Sequence, residues 1–267
     1  MDARSTLPLY TGNRMPVFGL GTWQLTKDTA NTVARALELG YPLIDTSSDY
    51  GTQPAIGEAI RRSGAPRDSF YLVTKVEETD DAYQATRDYI AELGLEFADL
   101  MLIHRPPGDG VGAALWEGLR EAKQDGLTRD IGVSNYSMEQ IRALVAATGE
   151  KPVVDQIEWS PFGHSQEMLD DCRGEDIVIQ AYSPLTRTKR LDDRTLKDIA
   201  ERYGKSPAQI LIRWNLQRGT VPLPKANRVD HLEEDIDVFD FELEERDLAR
   251  LGGLNDQYSS LGMLPYV

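Results

Sequence analysis

Three apolar runs of this chain end on residues that rarely close a buried strand. "PLID" (42–45) ends on Asp45, "FYLVTK" (70–75) on Lys75 and "LMLIH" (100–104) on His104, while Tyr50 follows Asp45 within "LIDTSSDYG". Brought together, the four share one chemistry. A tyrosine phenol has an ordinary pKa of about 10, and a lysine ammonium beside it favours the phenolate and lowers that value. Asp45 would keep Lys75 charged and in place, and His104 would hydrogen-bond a substrate oxygen. The set fits a general acid serving a carbonyl oxygen that acquires negative charge, a contribution of roughly 10²–10⁴-fold in rate. Such an acid does not reduce a carbonyl alone, because hydride must come from a cofactor. No G-x-G-x-x-G follows any apolar run, so a Rossmann mode is not supported. Tyr182 offers an aromatic face for a flat ring. Ser134, Asn135 and Gln156 offer hydroxyl and amide groups for a carboxamide.

The elements that must position these residues recur with a regular rhythm. Short runs at "VFGLG" (17–21), 42–45, 70–75, 100–104, "DIGVS" (130–134), "VVDQIE" (153–158), "DIVIQAY" (176–182) and "TVPLPK" (220–225) alternate with helical patterns. They are bounded by Gly, Pro or charged residues, as buried parallel strands are. Leu37 and Leu39 before Gly40 suit a helix C-terminus. Ser137 with Gln140 is a capping-box pattern, and Ser206-Pro207 places a cap before a first-turn proline. Leu7 to Val17 reads as a hairpin about Gly12-Asn13. Eight strands each followed by helix predict a (β/α)₈ TIM barrel with an N-terminal β-hairpin, a single domain over 1–267; a doubly wound open sheet is the alternative. In such barrels chemistry sits at the C-terminal ends of the strands, where the polar residues above fall.

Composition narrows the partners. The 267 residues carry a formal charge of −15, mainly Arg among the cations, which disfavours nucleic acid and anionic membranes. Cys172 is the only cysteine and His104, His164 and His231 the only histidines, so no intramolecular disulfide can form and a thiolate/imidazole metal site is not expected. No apolar run reaches a membrane-span length of about 18 residues. The N-terminus has no segment of signal-peptide type, so a soluble, cytoplasmic protein is expected. Monomer is the expected state. Trp116 and Trp214 sit in helical patterns and are expected in packing, Trp159 at the border of the site, His164 exposed in a loop and Cys172 buried.

The stretches "MPVFGLGTW", "GYPLIDTSSDYGTQPAIG", "LVTK", "LMLIH", "IGVSNYS", "DQIEWSPF", "AYSPL" and "LPKA", in this order, resemble the aldo-keto reductase family from about Leu7 to Asp256. The resemblance implies a catalytic tetrad of Asp45, Tyr50, Lys75 and His104, with Tyr50 as proton donor, and a nicotinamide cofactor, usually NADPH, lying across the barrel mouth. It also implies that Ser134, Asn135 and Gln156 grip the carboxamide and that Tyr182 stacks on the nicotinamide. Thr22, Ser183 and Leu185 would line the cofactor path, Lys225 and its neighbours would meet the adenosine phosphates, and Glu234 and Asp235 the adenine.

The family pattern is broken in two places. Where it has Ser after its last-signature Lys, and Arg six residues after that Lys, this chain has Ala226 and His231. Both changes remove groups that hold the 2′-phosphate of NADPH. Arg228 lies in the same loop and can compensate, so dual NADPH and NADH use is expected. In the substrate pocket, Arg105 and Glu77 stand at positions usually aromatic, beside Trp23. Either they make the pocket polar, suited to sugars or small oxo-acids, or they pair with each other. The short segments after His104 and Asn255 imply an open pocket and resemble small prokaryotic reductases of the 2,5-diketo-gluconate type. Reduction of small polar carbonyls is the favoured function. A catalytically silent nicotinamide-binding regulatory subunit, and an unrelated barrel hydrolase using paired carboxylates, are the rivals.

Overall fold

The computed structural model describes residues 1–25 and 27–267. An antiparallel hairpin of β1 (Thr6–Pro8) and β2 (Arg14–Pro16) comes first, with Thr6 opposite Pro16 and Pro8 opposite Arg14. Eight parallel strands follow in one sheet: β3 (Leu20–Gly21), β4 (Leu43–Asp45), β5 (Tyr71–Val76), β6 (Ala98–Ile103), β7 (Thr128–Ser134), β8 (Val154–Glu158), β9 (Val178–Tyr182) and β10 (Val221–Leu223). Each pairs with the next in sequence order. The ring is drawn together between its first and last strands by two hydrogen bonds, Gly19 N to Pro222 O (3.2 Å) and Gly21 N to Pro224 O (2.9 Å). Gly21 permits this approach: a Cβ there would stand 2.8 Å from Leu223 O. The (β/α)₈ barrel with its N-terminal hairpin is the observed fold.

Helices connect the strands: α1 (Thr29–Glu38), α2 (Gln53–Ser63), α3 (Ala82–Leu93), α4 (Ala113–Gln124), α5 (Met138–Thr148) and α6 (Gln166–Gly174). Two helices, α7 (Arg194–Tyr203) and α8 (Pro207–Gln217), precede β10, and α9 (Val229–Ile236) and α10 (Glu245–Gly252) follow it. Their boundaries have local causes. Ser137 and Gln140 bond reciprocally to open α5, and Ser206 and Gln209 do the same for α8, with Pro207 in its first turn. Gly40, at φ 88°, lets the chain leave α1 in the left-handed region.

Two apolar cores follow from the closed sheet. Inside the barrel, Leu43, Val73, Leu100, Leu102, Val154 and Val221 pack together, and Leu9 and Met15 of the hairpin segment join them. Outside it, the helices cover the sheet, with Trp116 and Trp214 fully packed. The acidic stretch through α9 and α10 buries Leu232, Val238, Leu243 and Leu251 and, with them, Asp235 and Asp247, while most of its other charges face outward. No described helix is long and apolar enough to cross a membrane.

Candidate active site

The C-terminal rim carries the polar strand ends. Asp45 closes β4, and Lys75 lies one residue before the end of β5. Its Nζ donates to Asp45 Oδ1 at 2.8 Å and to Thr46 O at 2.7 Å. Lys75 is fully buried and Asp45 nearly so. Gln156 Nε2, from β8, also donates to Asp45 Oδ1 at 2.7 Å. Beyond β4 the chain makes a single 3₁₀ turn, Ser48–Tyr50, and Gly51 leaves it at φ 64°. That turn places the Tyr50 ring over the ion pair, with Lys75 Nζ 5.0 Å from its centroid. His104 follows β6 directly and meets Tyr50 edge-on, ring centroids 5.7 Å apart.

Contrary to the effect expected of Lys75, the Tyr50 phenol is pushed well above its ordinary value. Burial is the largest cause, followed by repulsion from Asp45, Asp49, Glu77 and Tyr182. The Lys75 charge is already engaged by Asp45 and a carbonyl and does not outweigh them. Tyr50 therefore holds its proton in the ligand-free molecule.

A cavity of about 510 Å³ opens above these residues and is lined by Asp45, Tyr50 and His104. At its centre lie Ser134, Asn135, Gln156 and Tyr182. Their hydrogen bonds are interlocked: Tyr182 Oη donates to Asn135 Oδ1 (2.8 Å), Asn135 Nδ2 to Ser134 Oγ (3.1 Å) and to His104 O (3.0 Å), and Ser134 Oγ to Gln156 O (2.7 Å). Gln156 spends both Nε2 protons on Asp45 and Gln180, leaving its Oε1 for a ligand donor. An aromatic face beside amide groups suits a flat ring bearing a carboxamide.

The other end is cationic. Ser183, Leu185, Lys225, Arg228 and His231 line it. Burial, aided by repulsion from Arg187, holds the Lys225 ammonium below its ordinary range. A bound anion would relieve both effects, so this end fits phosphate. Arg187 itself was not foreseen. Its guanidinium lies 4.8 Å over the Trp23 ring, and Nη2 donates to Gln24 Oε1 at 3.0 Å, bridging two loops at the rim. Ser183, Thr186, Arg187 and Thr188 all lie in the left-handed region (φ 48°, 52°, 48° and 67°), strained for non-glycine residues. No glycine in "SPLTRTKR" signals that turn.

Several expected contacts fall elsewhere. Thr22 lies beneath the floor, donating from Oγ1 to Asp45 O at 2.8 Å. Ala226 is buried, and neither Glu234 nor Asp235 lines the cavity. Asp235 is packed inward, where burial and then Glu234 push its carboxyl up to about 8. Glu77 stands behind His104 rather than on the wall, and Arg105, which does line the cavity, pairs with it at 3.3 Å. Trp159 is buried against Tyr266, outside the cavity lining. His164 is not exposed as expected: it packs on Trp159 and Trp214, and burial lowers its pKa. Cys172 is buried, and burial pushes its thiol up.

The short C-terminal segment does reach the site. Buried Glu158, at the end of β8, accepts from Ser259 Oγ and Ser260 N, each at 2.6 Å, and Tyr266 Oη donates to Glu158 O at 3.2 Å. These bonds set Leu261 and Met263 into the cavity wall.

The model of the Aldo/keto reductase family matches residues 17–256. The chain belongs to the aldo/keto reductase family. An aldo-keto reductase of Mycobacterium sp. (strain MCS) is 38% identical over 257 residues, 94% of this chain and 91% of that protein. Among solved structures, an aldo/keto reductase of Brucella melitensis superposes with a TM-score of 0.89 at 35% identity, over 94% of this chain and 99% of its own. The Bombyx mori aldo-keto reductase, solved in complex with NADP, gives a TM-score of 0.90 at 30% identity, over 97% of this chain and 95% of its own.

Proposed function

We propose that this aldo/keto reductase reduces aldehydes and ketones to alcohols, using NADPH or NADH, with Tyr50 as proton donor. The observation that carries the reading is the Tyr50 phenol. It faces the cavity beside His104 and above the Lys75–Asp45 pair, and its hydroxyl has no hydrogen-bond partner among the described residues. The nicotinamide, when bound, supplies hydride to the carbonyl carbon. The chain's own residues do the rest. Tyr182, Asn135, Ser134 and Gln156 orient the ring end, and Lys225 with Arg228 and His231 meets the phosphates. His104 orients the carbonyl oxygen, and Tyr50 delivers the proton to it. A neutral phenol is present as a donor throughout the neutral range, and the alkoxide it meets is more basic than any phenolate.

Dual cofactor use follows from the weakened grip. Ala226 is buried and offers no hydroxyl, while Arg228 is exposed on the cavity edge and paired with Asp230. With one charge-assisted hydrogen bond from Arg228 remaining, worth roughly 1.5–3 kcal/mol, turnover with NADPH is expected to exceed that with NADH by no more than about 10- to 100-fold. Arg228→Ala then shifts the kcat/KM ratio toward NADH. A strong NADPH preference that survives Arg228→Ala refutes the assignment.

Around the carbonyl end, Arg105 is shared by Asp49 (3.3 Å), Glu77 (3.3 Å) and Glu78 (3.6 Å). Three carboxylates to one guanidinium leave excess negative charge, which repels anionic substrates. Neutral polar carbonyls such as aldoses are therefore favoured over oxo-acids. The 2,5-diketo-gluconate reductase-like subtype rests on the short loops alone. The reading is tested by following loss of reduced-cofactor absorbance against small aldehydes, diketones, aldoses and 2-oxo-acids. Neutral compounds are expected to show the higher kcat/KM, with the gap narrowing in salt. Preference for the oxo-acids would reverse the substrate assignment, and no turnover with any carbonyl would remove the enzymatic one.

A further inference from the structure

His104 is held by a carboxylate that the proposed chemistry leaves without a role. Its Nδ1 lies 2.8 Å from Glu77 Oε1 and 3.0 Å from Oε2. Glu77 is fixed from two further sides: Ser47 Oγ donates to Oε1 at 2.9 Å and Arg105 Nη1 to Oε2 at 3.3 Å. Burial works against the Glu77 charge, yet the hydrogen bond and charge of His104, with Ser47 and Arg105, outweigh it and hold the carboxyl below its ordinary range. An ionised carboxylate only accepts hydrogen bonds, so the proton between the two groups belongs on His104 Nδ1.

That requirement decides what the far side of the ring can do. With Nδ1 protonated, a neutral imidazole presents a bare Nε2, which accepts. Only the doubly protonated ring donates from Nε2. Nε2 is the nitrogen left for the cavity, where the Tyr50 ring stands edge-on. A carbonyl oxygen bound there needs a donor, and the alcohol formed from it needs an acceptor.

We infer that Glu77 is a positioning residue that locks the His104 proton on Nδ1, so that the ring donates to a carbonyl only when doubly protonated and accepts from an alcohol when neutral. The consequence for substrate rests on the reductase reading; the lock on the proton does not. Reduction is then favoured as pH falls through the titration of the ring, and alcohol oxidation as pH rises through it. His104 gives up no net proton in either direction, because Tyr50 supplies the one that reaches the alkoxide.

The surrounding charges are compatible with this role. Asp49 lies 3.9 Å from Nδ1, and Arg105 bridges Asp49 and Glu78. From β4 and β5, the Asp45–Lys75 pair meets the Tyr50 ring, with Lys75 Nζ 5.0 Å from its centroid. Behind the ring, Val76 O accepts from His104 N (2.9 Å) and Asn135 Nδ2 donates to His104 O (3.0 Å), which fixes the backbone. Asp49, Glu77 and His104 approach one another within 4.8 Å, and Arg105 pairs with both carboxylates.

The direct test is side-chain ¹⁵N NMR of the ligand-free protein, in which only three histidines need be separated. The neutral His104 ring of the wild type is expected to carry its proton on Nδ1. In Glu77→Gln the amide can donate to Nδ1, and the neutral ring's proton moves to Nε2. Glu77→Asp keeps the charge and restores the Nδ1 form. In steady-state kinetics, kcat/KM for a small aldehyde should fall above the NMR titration of His104, tenfold per pH unit for one proton, while that for the alcohol rises. Both limbs flatten in Glu77→Gln and return in Glu77→Asp. A neutral wild-type ring protonated on Nε2, or a Glu77→Gln ring still protonated on Nδ1, overturns the lock. Limbs unmoved by Glu77→Gln, with the tautomer shifted, overturn its catalytic consequence. Should the wild type turn over no carbonyl, the reductase reading fails and the NMR result alone decides the lock.

Discussion

Tyr50→Phe is expected to lower kcat for carbonyl reduction by about 10²–10⁴-fold, the span that a positioned general acid contributes. The substitution removes one oxygen and leaves the ring that covers the Lys75–Asp45 pair. That oxygen bonds to no described residue, so its loss leaves no protein donor or acceptor orphaned, and stability should be nearly unchanged. Cofactor binding, measured by titration in the absence of substrate, should also be unchanged, because the groups proposed to receive the ring, Tyr182, Asn135 and Gln156, lie on or just beyond β9, β7 and β8. The loss should thus appear in kcat. A variant that keeps its rate within about tenfold would show that water or His104 delivers the proton, and the acid assigned here would be wrong. The raised Tyr50 pKa sharpens the comparison. Burial and the neighbouring carboxylates keep the phenol protonated beyond its ordinary range. A decline in reduction within the neutral range in the wild type is therefore not assigned to Tyr50.

How far the site could be read from residues alone depended on what fixed each position. Asp45, Lys75, His104, Ser134, Gln156 and Tyr182 were legible because a strand end is marked by an abrupt polar residue after apolar ones, and a closed parallel barrel brings all such ends to one rim. The capping residues Ser137, Gln140, Ser206 and Gln209 were legible for the same local reason: their partners lie three residues away. Glu77 was legible only in part: its pairing with Arg105 was one of two expected arrangements, but its partners Ser47 and His104 come from two other strand-end loops that only the barrel's closure sets against it. Arg187 and Gln24 belong to the same class, joined across 163 positions of sequence by a bridge no periodicity announces. The sign of the Tyr50 shift was missed because pairwise reasoning counted the Lys75 charge. Burial and the anions around the phenol are properties of the assembled rim.

Lys75→Met is expected to destabilise the protein by about 3–5 kcal/mol, the cost of leaving a buried charge without its partner. Lys75 is fully enclosed, and its ammonium touches Asp45 at 2.8 Å and Thr46 O at 2.7 Å. Methionine fills much of the stem's volume but supplies no donor. Asp45 is left nearly buried with the Gln156 amide as its remaining side-chain donor, and Thr46 O loses a partner. For a chain of this size each kcal/mol moves the midpoint by roughly 2–4 °C, so a fall of about 6–20 °C is expected in a thermal melt. Adding Asp45→Asn to Lys75→Met should recover a large part of the loss, since it removes the stranded charge and keeps an oxygen for Gln156. Activity should not recover with stability, because the double variant still lacks the cation beneath the phenol. A drop of less than about 1 kcal/mol in the single variant would mean that water reaches Asp45 in the folded state, and the ion pair would then be an exposed one. Recovery of both stability and turnover would place Lys75 in the scaffold alone. The expected split, stability restored and rate still low, separates the structural work of the pair from its work on Tyr50.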